Sequence, residues 1–169
     1  MTIQVGDKLP QATFRVMTDD GPAARSTDDI FKGRRMALVA VPGAYTPTCD
    51  RNHLPGYVRL ASELKGVGIE GIAVTSVNDV FVLKVWGETT GATEAGIELL
   101  ADGNADFAKA IGLAFDGSGF GLGTRSQRYA MLVEDGVVRS LSVEDSPSKA
   151  DVSSADAFLK MLSGTKAAA

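Results

Sequence analysis

The stretch "MALVAVPG" (residues 36–43) is a short apolar run that closes with Pro-Gly, a pattern typical of a buried strand entering a loop. The stretch "IEGIAVTSV" (residues 69–77) has the same character. A strand, a helix and a second strand in this order favour a right-handed crossover, so we expect the two strands to be parallel. The intervening helix should end near Gly66 or Gly68, and its apolar stripe is formed by Leu54, Tyr57, Val58, Ala61 and Leu64.

The residues that follow predict further helices and a change in strand direction. A strand in residues 97–102 and a short helix in residues 105–112 are expected, and two extended runs around Asp135-Gly136 predict an antiparallel hairpin in residues 129–143. The last helix should have Ser153 as its N-cap and end at Gly164. Another helix, in residues 78–91, should be capped by Asn78 or Asp79 and present an inner face of Phe81, Val82, Val85 and Trp86.

Together these elements predict an α/β fold in a single domain spanning residues 1–169. Its central sheet should be mixed, because parallel and antiparallel pairs are both expected, and helices should cover both faces of that sheet. A chain of 169 residues is long enough for one sizeable core and too short for two domains of ordinary size.

Composition narrows the classes of function. With 44% apolar residues and a formal net charge of -4, the chain is typical of an acidic soluble protein, and a nucleic-acid surface is not expected. We expect no membrane association and a cytoplasmic location, because no window approaches the roughly 18 consecutive apolar residues of a membrane span. A single cysteine and a single histidine disfavour zinc and other metal centres, so we expect no metal and no cofactor.

Cys49, the only cysteine, follows the first buried strand and a loop stiffened by Pro42 and Pro47. If a helix begins just after Thr48, the thiol lies in its first turn, where free backbone N–H groups and the helix dipole favour a thiolate. The dipole supplies only about 0.3 to 2 kcal/mol. A cation or several hydrogen-bond donors must therefore contribute, and the Thr46 hydroxyl is one plausible donor. Downstream, Pro55 predicts a kink or an irregular turn.

Several interpretations of these residues remain open at this point. Cys49 could be a buried, inert thiol, although its position after a strand favours a reactive one. His53 could be the base of a cysteine hydrolase, but we favour a histidine that hydrogen-bonds backbone or water. The Gly-rich run in residues 117–128 leads into a strand and is interpreted as a loop rimming a site. Its Arg125 and Arg128 could be ordinary solvated charges.

The run "PGAYTPTC" resembles the Pro-x-x-x-Thr-x-x-Cys signature of the peroxiredoxins through Pro42, Thr46 and Cys49. The longer run "VPGAYTPTCDRNHLPGYV" resembles the type II, or peroxiredoxin-five-like, subgroup, and the similarity extends through "SVNDVFVLKVWG" to "GTRSQRYAMLVEDGVV". This resemblance implies a thioredoxin-like fold and a peroxidase that reduces hydrogen peroxide and organic hydroperoxides to water and alcohols.

The resemblance also implies roles for individual residues. Cys49 is expected to attack the peroxide and become a sulfenic acid, Thr46 to hold the peroxide and the thiolate, and Pro42 to shield the thiolate from water. Arg128 is expected to be the missing cation. Substrate contacts are implied for Gly43, Thr48 and Phe120.

The absence of a second cysteine implies a one-cysteine mechanism in which an external thiol regenerates Cys49. Glutathione with glutaredoxin, or thioredoxin, are the reductants that the subgroup suggests. The resemblance further implies a homodimer packed through loops near the active site. The alternative function is a peroxide-responsive redox sensor, or a thiol-regulated binding protein, that uses the same thiol without efficient turnover.

Overall fold

The computed structural model of the protein describes residues 1–168, with side chains described through residue 164. The strands in this range are β1 (Thr13–Thr18), β2 (Gly21–Ser26), β3 (Arg35–Val41), β4 (Gly71–Ser76), β5 (Glu98–Ala101), β6 (Ala114–Asp116), β7 (Thr124–Ser126), β8 (Tyr129–Glu134) and β9 (Val137–Val143). The α-helices are α1 (Thr27–Phe31), α2 (Leu54–Gly66), α3 (Val80–Thr89), α4 (Asp106–Ala110) and α5 (Ala155–Ala168).

Seven strands form one mixed sheet in the order β2-β1-β5-β4-β3-β8-β9, and β6 pairs with β7 in a separate two-stranded sheet. The pairs β3/β4 and β4/β5 are parallel, whereas β8 is antiparallel to both β3 and β9. The predicted strand-helix-strand unit and the predicted hairpin are therefore both confirmed. Because β3 lies inside the sheet, its carboxyl end opens beside the start of β8.

The apolar run that marks β3 is buried on both faces of the sheet. Ala37, Val39 and Val41 join the core beneath α2, α3 and α5, whereas Met36 and Leu38 alternate onto the core beneath α1 and α4. This placement explains why the sequence reads as a continuous apolar run rather than as an alternating pattern. It also confirms that helices cover both faces.

The predicted inner face of α3 is confirmed for Trp86, which is buried, and is wrong for Phe81 and Val85, which are exposed; Val82 is half-buried. Asp79 caps the helix by accepting a hydrogen bond from the Val82 N–H at 2.8 Å, as expected. From this start the helix turns Leu83 and Trp86 into the core, while Phe81 is 62% exposed and Val85 is 47% exposed. The helix is apolar on more than one side, so the apolar pattern alone did not fix which side is buried.

The start and the end of α5 also differ from the prediction. The Ser154 hydroxyl accepts the Ala157 N–H at 3.1 Å, so Ser154 rather than Ser153 caps the helix. At the other end the helix continues past Gly164 to Ala168. None of the helices in residues 1–168 is long and apolar enough to cross a membrane.

Candidate active site

The loop after β3 leads into a helical turn that contains Cys49. The Asp50 N–H donates to the Thr46 carbonyl at 2.9 Å, which places Cys49 in the first turn of the helix, as predicted. Residues Cys49–His53 form a π-helical turn, closed by the Leu54 N–H bonding to the Cys49 carbonyl. Pro55 has no N–H to continue the α-helical pattern, and its ring crowds the carbonyl four residues earlier, so the backbone widens ahead of it.

Arg128 approaches the thiol from a distant part of the chain. It directly precedes β8, whose Tyr129 pairs with Ala40 near the carboxyl end of β3. This antiparallel pairing brings the guanidinium next to the start of the helix, and Arg128 Nη2 lies 3.0 Å from Cys49 Sγ. Both side chains are buried, with Cys49 at 0% and Arg128 at 2% exposure.

Four of the five N–H groups of Arg128 have partners in the structure. Nε and Nη2 donate to the Pro147 carbonyl at 3.3 and 3.0 Å, Nη2 also donates to Cys49 Sγ, and Nη1 lies 2.9 Å from His53 Nδ1. Within residues 1–164 no carboxylate forms an ion pair with this guanidinium. The interpretation of Arg128 as a solvated charge is therefore wrong.

Both ring nitrogens of His53 are engaged. Nε2 lies 2.9 Å from the Ser153 carbonyl, which confirms the expected backbone hydrogen bond, and Nδ1 faces Arg128. Burial lowers the pKa of His53 to about 4, with the positive charge of Arg128 acting in the same direction, while the Ser153 carbonyl and Glu144 oppose it. Because Arg128 Nη1 donates to the Nδ1 lone pair, His53 has no free lone pair with which to take a proton from Cys49. The hydrolase interpretation therefore has no support in this site.

A segment that we call the strap, residues 144–154 between β9 and α5, closes over the site. Besides the Pro147 and Ser153 carbonyls, its Ser148 carbonyl accepts the Thr48 hydroxyl at 3.1 Å. The strap is fixed from within by Glu144, whose Oε1 accepts the Ser153 N–H and hydroxyl at 2.8 and 2.9 Å. These contacts could not be predicted from the sequence, because most of them use backbone carbonyls.

The loop before Cys49 is held by Thr46 and Arg125. The Thr46 hydroxyl donates to the Gly43 carbonyl at 2.7 Å, so its proton bonds the loop rather than the sulfur. Arg125 Nη1 donates to the carbonyls of Pro42 and Val77 at 3.4 and 3.2 Å. Arg125 is thus not a solvated charge either, and it ties the active-site loop to the end of β4.

A pocket of about 480 Å³ opens beside Arg128. Arg128 both lines this pocket and contacts Cys49, whereas Cys49 itself is fully buried and does not line the pocket, so the guanidinium links the pocket to the sulfur. Phe120 and Leu122 in the lining confirm that the Gly-rich run rims a site. Besides Arg128, four predicted site residues line the pocket: Pro42, Thr46, Thr48 and Phe120. Gly43 is buried and is not part of the lining. The full lining is Pro42, Thr46, Pro47, Thr48, Phe115, Phe120, Leu122, Arg128, Pro147 and Ser148.

A thioredoxin-like fold with a buried thiol at a helix start, contacted by a guanidinium and set beside a pocket, defines a thiol-based redox protein. Residues 4–159 match the Redoxin family. The chain is 46% identical to a chloroplastic peroxiredoxin-2E-2 of Oryza sativa subsp. japonica over 165 residues, which are 95% of this chain and 73% of the rice protein.

Solved structures agree with this match. Reduced Prx3 from Vibrio vulnificus in complex with hydrogen peroxide has a TM-score of 0.90 and 48% identity, over 95% of this chain and 99% of that one. Peroxiredoxin 5 from Alvinella pompejana has a TM-score of 0.84 and 33% identity, over 96% of this chain and 99% of its own. The chain belongs to the peroxiredoxin family, and its relatives include type II members. It is a thiol-dependent peroxidase with a single cysteine, which acts on peroxides and uses thiol reductants.

Proposed function

We propose that Cys49 is the nucleophile of this peroxidase and that Arg128 stabilises both its thiolate and the transition state. The observation that carries the proposal is the 3.0 Å contact between Arg128 Nη2 and Cys49 Sγ in a buried site. A buried cation without a carboxylate partner is costly, and an anionic sulfur at this distance supplies its counter-charge. The same interaction favours a thiolate poised beside the pocket.

The chemical step balances with one peroxide and one thiolate. The Cys49 sulfur attacks the nearer peroxide oxygen, an S–O bond forms as the O–O bond breaks, and the departing oxygen leaves as water or an alcohol after taking up a proton. Cys49 becomes a sulfenic acid. Negative charge grows on the departing oxygen, and the remaining N–H of Arg128 Nη1 can donate to it. The Thr46 hydroxyl can also donate to it after rotating away from the Gly43 carbonyl.

The pocket walls suit a hydroperoxide with an apolar substituent. Phe115, Phe120 and Leu122 line the same pocket as Arg128. We propose that this wall accepts the alkyl part of organic hydroperoxides and that Pro42 limits water at the thiolate. Phe120, at 83% exposure, is free in the monomer to contribute either to this wall or to a partner subunit.

Regeneration requires a thiol from outside the chain, because Cys49 is its only cysteine. We propose that a reductant thiolate attacks the sulfenic sulfur: an S–S bond forms as the S–O bond breaks, and the hydroxide leaves as water after taking up a proton. A second thiol then reduces the resulting mixed disulfide. Glutathione with glutaredoxin, or thioredoxin, is the proposed reductant, and either one suits the reducing cytoplasm, which is the proposed location.

A homodimer is proposed through one apolar surface next to the active-site loop. Phe81 and Val85 lie one turn apart on the outer side of α3, and Tyr45 joins them through its hydroxyl, 3.1 Å from Thr89 Oγ1. Large exposed apolar groups that cluster in this way are typical of protein interfaces. Sedimentation at micromolar concentration should give a dimer for the wild type and a monomer for Phe81→Lys. A wild type that stays monomeric would rule out this assembly.

Stopped-flow mixing of the reduced protein with hydrogen peroxide and with an organic hydroperoxide tests the proposed nucleophile. Trp86, the only tryptophan, donates from Nε1 to Asp50 Oδ1 at 2.8 Å, so its fluorescence reports on the residue beside Cys49. We expect a rapid signal change in the wild type and none in Cys49→Ser. Turnover with glutathione and glutaredoxin, compared with thioredoxin, then identifies the reductant. Oxidation by one equivalent of peroxide without turnover by any reductant would instead favour a sensor.

A further inference from the structure

We propose that His53 is a positioning residue of the peroxidase reaction: it presents the lone pair of Nδ1 to Arg128 and so holds the guanidinium against Cys49. This inference rests on the roles proposed above for Cys49 and Arg128. His53 has no hydrogen bond to the sulfur among the described residues and does not line the pocket, so the proposed action is exerted through Arg128.

The hydrogen bonds around the imidazole allow only one arrangement of its protons. A guanidinium can only donate, so Nδ1 of His53 must be unprotonated to accept from Arg128 Nη1 at 2.9 Å. The Ser153 carbonyl can only accept, so Nε2 must carry the proton that it donates over 2.9 Å. His53 is therefore a neutral imidazole in the Nε2–H tautomer. Its burial, with 1% exposure, opposes the charged form that would repel Arg128.

The contact with His53 gives the guanidinium a second hydrogen-bonded support, in addition to the Pro147 carbonyl of the strap. The Pro147 carbonyl holds Nε and Nη2, but Pro147 itself is exposed. His53 holds Nη1 from the buried side. With both supports, Nη2 is directed at Cys49 and the guanidinium plane is fixed, whereas the Pro147 carbonyl alone leaves the plane free to pivot.

The support extends further into the protein through Ser153. Glu144 Oε1 accepts both the N–H and the hydroxyl of Ser153, which fixes the carbonyl that orients the imidazole. Contacts thus run in an unbroken series from Glu144 through Ser153, His53 and Arg128 to Cys49. Each contact fixes the orientation of the next group, as the partners of catalytic side chains do in preorganised sites.

Two substitutions separate the hydrogen bonds that His53 makes. The Oδ1 of an asparagine is attached to Cγ, as Nδ1 is in histidine, so His53→Asn keeps an acceptor for Arg128 but cannot reach Ser153. The terminal amide of a glutamine lies one bond farther out, as Nε2 does, so His53→Gln keeps a donor for Ser153 but removes the acceptor for Arg128. A purely structural role requires the Ser153 bond, and a positioning role requires the Arg128 bond.

The measurement is the second-order rate of Cys49 oxidation by hydrogen peroxide, together with the melting temperature. We expect His53→Asn to stay within about threefold of the wild type and His53→Gln to be slower by about tenfold or more, which corresponds to about 1.4 kcal/mol in the barrier. Tyr57→Phe is the matched control, because the buried Tyr57 hydroxyl donates to the same Ser153 carbonyl at 2.7 Å without touching Arg128. It should lower the melting temperature but leave the rate unchanged.

A slow His53→Asn with a normal His53→Gln, equal losses in both, or no loss in either would overturn the inference. A wild-type protein that peroxide does not oxidise would instead refute the proposed function. Nitrogen-15 NMR of the wild type gives a second test that needs no variant, since His53 is the only histidine. At pH 7 it should show a protonated Nε2 and an unprotonated Nδ1, and the opposite tautomer or a charged ring would contradict the inference.

Discussion

Replacing Arg128 by methionine should slow the oxidation of Cys49 by about a hundredfold. At the 3.0 Å between Nη2 and Sγ, two unit charges attract by about 5.5 kcal/mol if the effective dielectric constant is about 20. The guanidinium spreads its charge over three nitrogens, so we take roughly half of that value, about 3 kcal/mol. Since each 1.36 kcal/mol of barrier changes a rate about tenfold, the expected loss is about two orders of magnitude.

The assay is stopped-flow fluorescence of Trp86 at pH 7 under an excess of hydrogen peroxide. Methionine keeps an unbranched apolar stem like that of arginine and removes the guanidinium, so the part of the core around the stem should stay filled. Arg51→Met is the matched control, because Arg51 is exposed in the same turn as Cys49 and its charge is screened by solvent and salt. It should change the rate by less than about threefold. If Arg128→Met retained a rate that close to the wild type while folded, the guanidinium could not be the group that activates the thiol.

Three further predictions concern the loop, the core and the pH dependence of stability. Gly43→Ala should slow peroxide oxidation, because the added Cβ would lie 2.9 Å from Arg125 Nη1, whereas Gly119→Ala meets nothing within 4 Å and should leave the rate unchanged. Leu83→Ala should cost about 2 to 5 kcal/mol in urea unfolding, but Phe81→Ala less than about 0.5 kcal/mol for the monomer. Because His53 titrates near 4 when folded and near 6.5 when unfolded, the unfolded chain binds more protons between these values. Stability should therefore fall by up to about 3 kcal/mol from pH 6.5 to 4, and a flat profile would contradict a buried neutral His53.

Much of the sheet could be predicted because its strands carry strong local signals. The apolar run of β3 and the Asp135-Gly136 turn each indicate structure without help from the rest of the chain. The buried side of α3 could not be predicted, because Phe81 and Leu83 are equally apolar and only packing against β1 and β5 distinguishes them. Nothing in the sequence distinguishes an apolar residue that is exposed on the surface of the monomer from one that is buried in its core.

Some residues of the site could be predicted from the sequence, but most of the contacts between them could not. Cys49 could be located from the loop and helix start around it, whereas the residues alone favoured a solvated Arg128, and only the resemblance assigned it to the site. His53 was correctly expected to bond backbone, but its contact with Arg128 depends on a π-helical turn that spacing rules for an α-helix do not describe. The contacts of the strap with Arg128 and His53 could not be predicted, because they are made by the backbone carbonyls of Pro147 and Ser153, which every residue type has.

Burial explains why the two central groups of this site depend on one another. A guanidinium at 2% exposure without a carboxylate would cost several kcal/mol if nothing balanced its charge, and a thiolate at 0% exposure would be disfavoured in the same way. Brought together across 79 positions of sequence, each lowers the cost of the other. A neutral partner such as His53 can orient the guanidinium without competing for its charge. A carboxylate in that place would offset part of the positive potential that Arg128 exerts on the Cys49 sulfur, whereas an uncharged acceptor leaves that potential intact.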